Sequence, residues 1–348
     1  MKRINSKEIA RLAGVSRSTV SRVINSYPDI SKETYDKVMK VIKEYNYYPQ
    51  VSGQLLAGKK TGTIGFFWIN ESKKIGSDML SSEFFVHIID SSAAMGYLVL
   101  SCIMNNVTDK ENIDFIRKTF LEGRIDAGIF VGIDNDEPLI DELTDLGMIV
   151  GLFDYYHENE NLDNRITVNF ERNSGEKIID YIHGLGHKDI GIIAGSMKRF
   201  STAQRHESFL RGMEKYGLEI RDKWFTYGGI TYDSGYLAAC DLLDRCNGDL
   251  PTVICANNDS VAFGLYSACK ERGLRIPEDI SVVGIDGHLN GQYVSPPLTT
   301  ISFDFRSMFF SLVSRVVDAI HQRENLKVNE FIQGNLIERK SCKNLNKS

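Results

Sequence analysis

From residue 63 onward the chain repeats one pattern: a short continuous apolar run, a turn, then a stretch of helical periodicity. The runs are TIGFFW (63–68), LVLSC (98–102), AGIFVG (127–132), IVGLF (149–153) and ITV (166–168). DIGIIAG (189–195), TVICAN (252–257), ISVVGID (280–286) and TTISFD (299–304) follow. Helical periods lie between them, as over Glu171–Leu185 and Val261–Arg272. A strand that is apolar along its whole length has both faces covered, which is how strands read in a parallel sheet flanked by helices. Nine or ten such strands are more than one sheet needs. The pattern predicts two doubly wound parallel-sheet subdomains with a cleft between them, and ligands of such folds bind at the carboxyl ends of the strands.

Polar residues gather at those ends. Asp154 follows IVGLF, Asn257, Asn258 and Asp259 follow TVICA, Asp286 ends ISVVGID, and Asp304 ends TTISF. Arg205 is expected to open a helix after DIGIIAG. Taken singly, each Asp or Asn reads equally well as a helix N-cap. Their repetition on one rim favours a pocket. Carboxylates, amides and one guanidinium match the donor and acceptor pattern of a polyhydroxylated ligand, with an aromatic face for a sugar's apolar side.

The first sixty residues differ from the rest in charge. They carry twelve Lys/Arg against five Asp/Glu, net +7, while the other 288 carry 29 against 41, net −12. A short basic end on an acidic body points to a polyanion-binding head, unless the charges only solvate a helix. Here they accompany a motif. SKEIARLAGVSRSTVSRVIN (6–25) begins with Ser6 as N-cap of a helix bearing Ile9, Ala10 and Ala13 inward. Gly14 supplies a left-handed end and Val15 plugs the angle. Ser16 caps a second helix with Val20, Val23 and Ile24 inward and Arg17, Ser18, Ser21, Arg22 and Asn25 outward. Thr19 lies in its first turn. A third helix follows Ser31, with Tyr35, Val38, Met39 and Ile42 as its stripe. The outer face of the second helix is short, polar and rich in groups that bond base edges or phosphates, as a recognition helix requires.

The stretch IARLAGVSRSTVSRVIN, the later EYNYYP and then QLLAGKKTGTIG resemble the N-terminus of LacI/GalR-type transcription repressors. GLGHKDIGIIAG, STAQRHESFLRGM, CANNDSVAFG, RIPEDISVVGIDG and SPPLTTISFDF resemble that family's effector-binding core, a periplasmic-binding-protein-like fold. The resemblance implies a helix-turn-helix domain at 1–49, a hinge at 50–60, a core of two subdomains at 61–340 and a polar tail at 341–348. Leu56 stands where the family places the apolar wedge that opens a base step, although Leu55 and Leu56 also suit simple packing against the body. Gly53 departs from the family's usual Ala, which weakens a hinge helix by about 0.5–1 kcal/mol. Arg205, Asn258 and Asp286 occupy the family's ligand-hydroxyl positions, and Phe305 an aromatic wall. Ile230 lies where some members place a stacking aromatic, and Asn169 where many have Asp. GGITYDSGY is similar to the corresponding stretch of β-galactoside-responsive members.

Other readings explain less. Gly53–Lys59 imitates a phosphate-binding loop, but Lys60 stands where a hydroxyl must hold magnesium, and no apolar strand precedes it. No G-x-G-x-x-G, G-x-S-x-G or H-E-x-x-H occurs, so catalytic residues, cofactor and metal are all expected to be absent. His187, in a turn before a strand, reads as structural. A free-standing solute-binding protein leaves the basic head idle and calls for an export signal; MKRINSKEIARL has no apolar segment behind its basic residues. The scattered Cys102, Cys240, Cys246, Cys255, Cys269 and Cys342 suit reduced thiols in a cytoplasm. The expectation is a homodimeric, ligand-controlled repressor on a pseudo-palindromic operator, half-sites about one turn (~10 bp) apart, with no membrane partner. Release by an inducing sugar is favoured over binding that needs a corepressor.

Overall fold

The computed structural model describes residues 4–25, 27–48, 60–69, 79–107, 109–135, 137–156, 164–322 and 328–347. The chain divides into two compact units, Met1–Thr61 and Gly62–Ser348.

The first unit holds three helices, α1 (Ser6–Ala13), α2 (Arg17–Ile24) and α3 (Lys32–Glu44). Asn5, not Ser6, caps α1. Its Oδ1 accepts from the amides of Lys7 and Glu8, and Glu8 returns a carboxylate to the Asn5 amide, a reciprocal box that Ser6 lies one residue too late to form. The Ser6 hydroxyl instead accepts from Arg17 Nε at 2.9 Å. Gly14 closes α1 at φ +63°, where a side chain would be strained, and Ser16 and Ser31 cap the next two helices. Ile9, Ala10, Ala13, Val20, Val23 and Val38 form the shared core, with Val15, Met39 and Ile42 packed at its edge. Tyr35, expected in that stripe, is exposed; it precedes Val38 by one turn and lies beyond the reach of so small a core.

The second unit has two six-stranded sheets. The first has the order β2-β1-β3-β4-β5-β11 and is parallel throughout. Its strands are β1 (Thr63–Ile69), β2 (Leu98–Met104), β3 (Ala127–Val131), β4 (Val150–Phe153), β5 (Arg165–Phe170) and β11 (Val328–Ile332). The second has the order β7-β6-β8-β9-β10-β12, with only β12 antiparallel. It comprises β6 (Ile190–Ala194), β7 (Phe225–Tyr227), β8 (Val253–Ala256), β9 (Ser281–Asp286), β10 (Thr299–Ser302) and β12 (Asn335–Ile337). The connecting helices are α4 (Met79–Ala94), α5 (Lys110–Leu121), α6 (Pro138–Asp145), α7 (Ser174–Gly184), α8 (Phe200–Lys215), α9 (Tyr232–Cys246), α10 (Asp259–Glu271) and α11 (Phe305–Gln322).

All nine apolar runs are strands. Three further strands, β7, β11 and β12, carry no continuous apolar run; each lies at a sheet edge, as β2 also does, and none of their residues is fully buried. The chain leaves the first sheet after β5, fills the second, returns for β11 and crosses back for β12. Both subdomains are thus assembled from distant segments. Between the sheets, α11 sets Phe305 and Phe309 against Phe84, Phe153 and Phe170 in one aromatic core. The end of the chain, read as a polar tail from 341, is stitched in: Ser341 is fully buried, its Oγ donates to Val282 O, and Thr299 N donates to it.

Candidate functional site

Two sites emerge, one in each unit. In the first, Ser16 accepts the Thr19 amide at 3.0 Å and bonds the Ser18 hydroxyl, so the entry to α2 is fixed by its own side chains. Arg17, Ser18, Ser21 and Arg22 are exposed, and Thr19 is half-buried. Arg17 is braced by Ser6, Arg22 pairs with Asp29 and lies over the Tyr27 ring, and Asn25 caps the helix end. The Asn25 Oδ1 is buried and unpaired among the described residues. Five of the seven residues, Ser16, Arg17, Ser18, Ser21 and Arg22, are thus exposed, and the Asn25 carbonyl is buried. Leu56 lies outside the described residues.

The second site is at the carboxyl ends of the strands of the second unit. Arg205 does not open its helix; it is the sixth residue of α8, and Phe200 is the first. The extra turn comes from Phe200–Gln204, residues that the periodicity of the sequence did not mark as helical. The shift carries Arg205 inward. It is nearly fully buried, with Nη2 donating to Asp286 Oδ1 at 2.6 Å and Nη1 to the Asn257 carbonyl at 2.9 Å. Its guanidinium carbon lies 5.1 Å from the Phe170 ring centroid, and its Nε has no partner among the described residues. A buried guanidinium with an unfilled donor is poised to take an acceptor.

The remaining residues fall into two groups. Asn258 caps α10 through Oδ1 to the Val261 amide, and its Nδ2 donates to the Ile230 carbonyl at 2.9 Å. The residue thus joins the start of α10 to the Ile230 backbone. Ile230 itself is half-exposed. Asn169, given to the effector site by the family resemblance, has backbone partners here. It is fully buried and grips the Tyr155 backbone through both amide atoms at 2.9 Å, with Nδ2 also 3.2 Å from Asn329. An amide mates with a peptide in this way where a carboxylate lacks the donor, so Asn169 shapes the turn after β4. Phe305, placed as a wall, is buried 4.9 Å from Phe84 and 6.1 Å from Phe170, centroid to centroid.

Ser201 went unmarked in the sequence. Asp154, at φ +61°, accepts the Ser201 amide at 2.7 Å and its hydroxyl at 2.8 Å, tying the turn after β4 to the start of α8. Burial raises the Asp154 pKa, and the Ser201 hydrogen bonds oppose the rise. Asp259 is also fully buried; desolvation first and the Asp286 charge second push it up to about 7, against donations from Thr300 and His288. His187 is structural: its ring meets Thr252 Oγ1 and the Lys343 carbonyl, and burial lowers its pKa. Among the described residues no group of His, Cys, Asp and Glu could hold a metal ion, and no helix is long and apolar enough to cross a membrane. A surface hollow lined by Tyr232, Phe263, Tyr266, Lys270, Pro277 and Pro296 contains none of these polar residues.

Known proteins resemble the chain in both units. Residues 6–50 match the family described as bacterial regulatory proteins, lacI family, and residues 179–342 match the periplasmic binding protein-like domain. The HTH-type transcriptional repressor PurR of Vibrio cholerae serotype O1 is 31% identical over 353 residues, covering 98% of this chain and 99% of that protein. PurR of Pasteurella multocida is 31% identical over 346 residues, covering 97% and 98%. Among solved structures, the Lac repressor dimer bound to operator and the anti-inducer ONPF superposes with a TM-score of 0.81 at 26% identity, over 98% of this chain and all of that one. A CelR–cellobiose complex shares the fold at a TM-score of 0.72 and 23% identity, covering 97% and 100%.

Proposed function

This chain belongs to the lacI family of bacterial regulatory proteins, a DNA-binding transcriptional repressor with a ligand-binding domain, and from that premise we propose that its effector is a small sugar held at Arg205, Asn258 and Asp286. Like its relatives it binds operator DNA, answers a small molecule and acts as a dimer; it is a regulator, not an enzyme. We place it in the cytoplasm, where its operator is.

The observation that carries the ligand reading is the buried Arg205–Asp286 pair, with the Arg205 Nε unfilled. A vicinal diol satisfies such a pair from both sides, giving an acceptor to the guanidinium and a proton to the carboxylate. On the DNA side, Arg17 and Ser18 are assigned to base edges, Ser16, Thr19, Ser21, Arg22 and Asn25 to the same groove, and Leu56 to the wedge. Ligand closes the cleft, the hinges of the dimer part, and operator affinity falls. A tenfold fall requires the ligand to prefer the released state by about 1.4 kcal/mol.

A galactoside is the finest form of the proposal, resting on GGITYDSGY around Ile230. The full-length relatives named PurR favour a second reading, a purine-type base. A thermal-shift panel of mono- and disaccharides against purine bases separates them. A true effector at 100 times its Kd adds about 2.7 kcal/mol to stability. The sugar proposal predicts that shift for a saccharide and none for the bases. A shift by a base alone replaces it with the second reading.

A further inference from the structure

The seam between the two sheets is held by more than the ligand residues. Arg172 lies in the crossover directly after β5, and its side chain is exposed. Its guanidinium carbon lies 4.8 Å from the Phe331 ring centroid, 4.9 Å from Tyr156 and 5.6 Å from Phe200. Tyr156 follows β4 and Phe331 lies in β11, both of the first sheet, while Phe200 opens α8, which follows β6 of the second. Phe200 also meets both rings, at 5.4 Å from Tyr156 and 5.9 Å from Phe331. No ion pair involves Arg172 among the described residues, so rings are the partners of this cation.

We propose that Arg172 is a latch that holds the cleft closed, a positioning residue that sets how much of the unliganded protein already has the ligand-competent arrangement; the proposal rests on the ligand-gated reading above. An ion pair at the rim would travel with one subdomain and hold in any arrangement. These three rings surround the cation only while the start of α8 rests on the first subdomain. Polar bonds cross the same seam within one turn: Ser201 to Asp154, and the Asn135 amide to the Lys198 carbonyl at 3.2 Å. Water replaces such bonds at small net cost when the cleft opens. Opening also separates Phe200 from the Arg172 cation and from the Tyr156 and Phe331 rings, so the cluster adds to the resistance. Because Arg172 is exposed, removing it leaves neither a buried cavity nor a buried charge, and its carbonyl still accepts from Arg211 Nη2 at 2.8 Å.

Hydrogen exchange of the full-length chain without ligand or DNA tests the latch, read at the Ser201 and Asn135 amides that bridge the seam. Arg172→Ala is expected to speed exchange at both by about two- to fivefold, the scale of the one cation–ring contact that crosses the seam, Arg172 to Phe200. Amides inside β3 and β6 should keep the parental rate. Phe200→Leu should give the same local effect, and the double variant no more than either single one, because both remove one cluster. Arg172→Lys should keep part of the protection, since an ammonium stacks less well than a planar guanidinium. Unchanged exchange at both amides overturns the proposal, as does acceleration spread evenly through β3 and β6. The measurement needs no ligand, so a protein that answers no effector would refute the reading above and not this one.

Discussion

In the head, the polar groups proposed to meet DNA stand in water. Arg17, Ser18, Ser21 and Arg22 are exposed, and the longest side-chain bond among them, Arg17 to Ser6, spans eleven residues. In the body, Arg205 and Asp286 are 5% exposed and separated by 81 residues of sequence. The head recognises a polyanion with charges it need not desolvate beforehand, whereas the body keeps its charges buried and mutually paired before any ligand arrives. Exposed charges give reach and salt sensitivity; buried pairs give selectivity and tie the ligand site to the stability of the fold. Each consequence can be measured.

The largest contrast is in salt. With about six phosphates neutralised by the +7 head, log K for operator against log salt should fall with a slope near −5, although the whole protein carries a net charge of −5. Effector binding, made by a pair already neutralised internally, should change little over the same range. Filter binding or fluorescence anisotropy on a palindromic operator measures the first, and calorimetry the second. A flat operator titration would mean that the head does not carry the DNA contacts.

Arg205 sharpens the body side. Arg205→Ala leaves the Asp286 carboxylate buried without its partner, which costs about 3–5 kcal/mol. The double change Arg205→Ala with Asp286→Ala removes the stranded charge and should recover most of that loss. Both variants should bind operator with near-parental affinity and fail to respond to the ligand that stabilises the parent. Thermal unfolding reads the recovery and an operator titration reads the response. A single variant that melts early yet still responds would reduce the pair to a structural brace.

This division also explains what the sequence could reveal. The caps, glycine turn and outward face of α2 are local, so each was visible within twenty residues, and only the cap of α1 was displaced by one position. The eight inner strands were equally visible because burial on both faces leaves a continuous apolar run, and the edge strand β2 carried such a run as well. The site in the body was legible as a set of strand ends but not as a geometry. Whether Arg205 began a helix or lay six residues into it depends on how α8 packs, and the Asp154–Ser201 tie joins elements 47 residues apart. Asn169 was singled out only by the family resemblance; that its amide meets the Tyr155 backbone is a contact no periodicity reports. Three of the four edge strands, β7, β11 and β12, escaped for lack of the pattern that marked the others.

A smaller effect tests the division of labour within the head. Arg17 stands at the first turn of α2, braced by Ser6 and free to reach a base edge, while Arg22 is shared with Asp29 and Tyr27. Arg17→Ala should therefore relax the preference at one operator base by about 1–3 kcal/mol. Arg22→Ala should cost less and do so on all sequences alike. A binding-site selection on each variant decides the matter, and an unaltered logo for Arg17→Ala would assign it to phosphate instead.

A further effect appears in the body as a pH dependence with a defined sign. Asp259 is held at about 7 in the folded chain by desolvation and the nearby Asp286, against 3.8 for an ordinary aspartate. A carboxyl whose pKa is raised by folding binds its proton more tightly in the native state, so its contribution is fully present below pH 4 and is lost as pH rises through about 7. His187 and His206 work in the opposite sense, because burial lowers their pKa values and stability is lost as pH falls through the ordinary histidine range. The raw melting profile is therefore a sum of opposed slopes, and the comparison with Asp259→Asn isolates one of them. The amide is always neutral and still accepts from Thr300 or His288. Relative to the parent, the variant should gain stability as pH rises from 4 to 7, by at most about 1.4 kcal/mol per pH unit, and hold that gain above 7. Parallel profiles for the two proteins would show that Asp259 keeps its charge in the folded state. In that case Thr300, His288 and the Arg205 guanidinium together would outweigh desolvation, and the pocket floor would carry two carboxylates against one arginine.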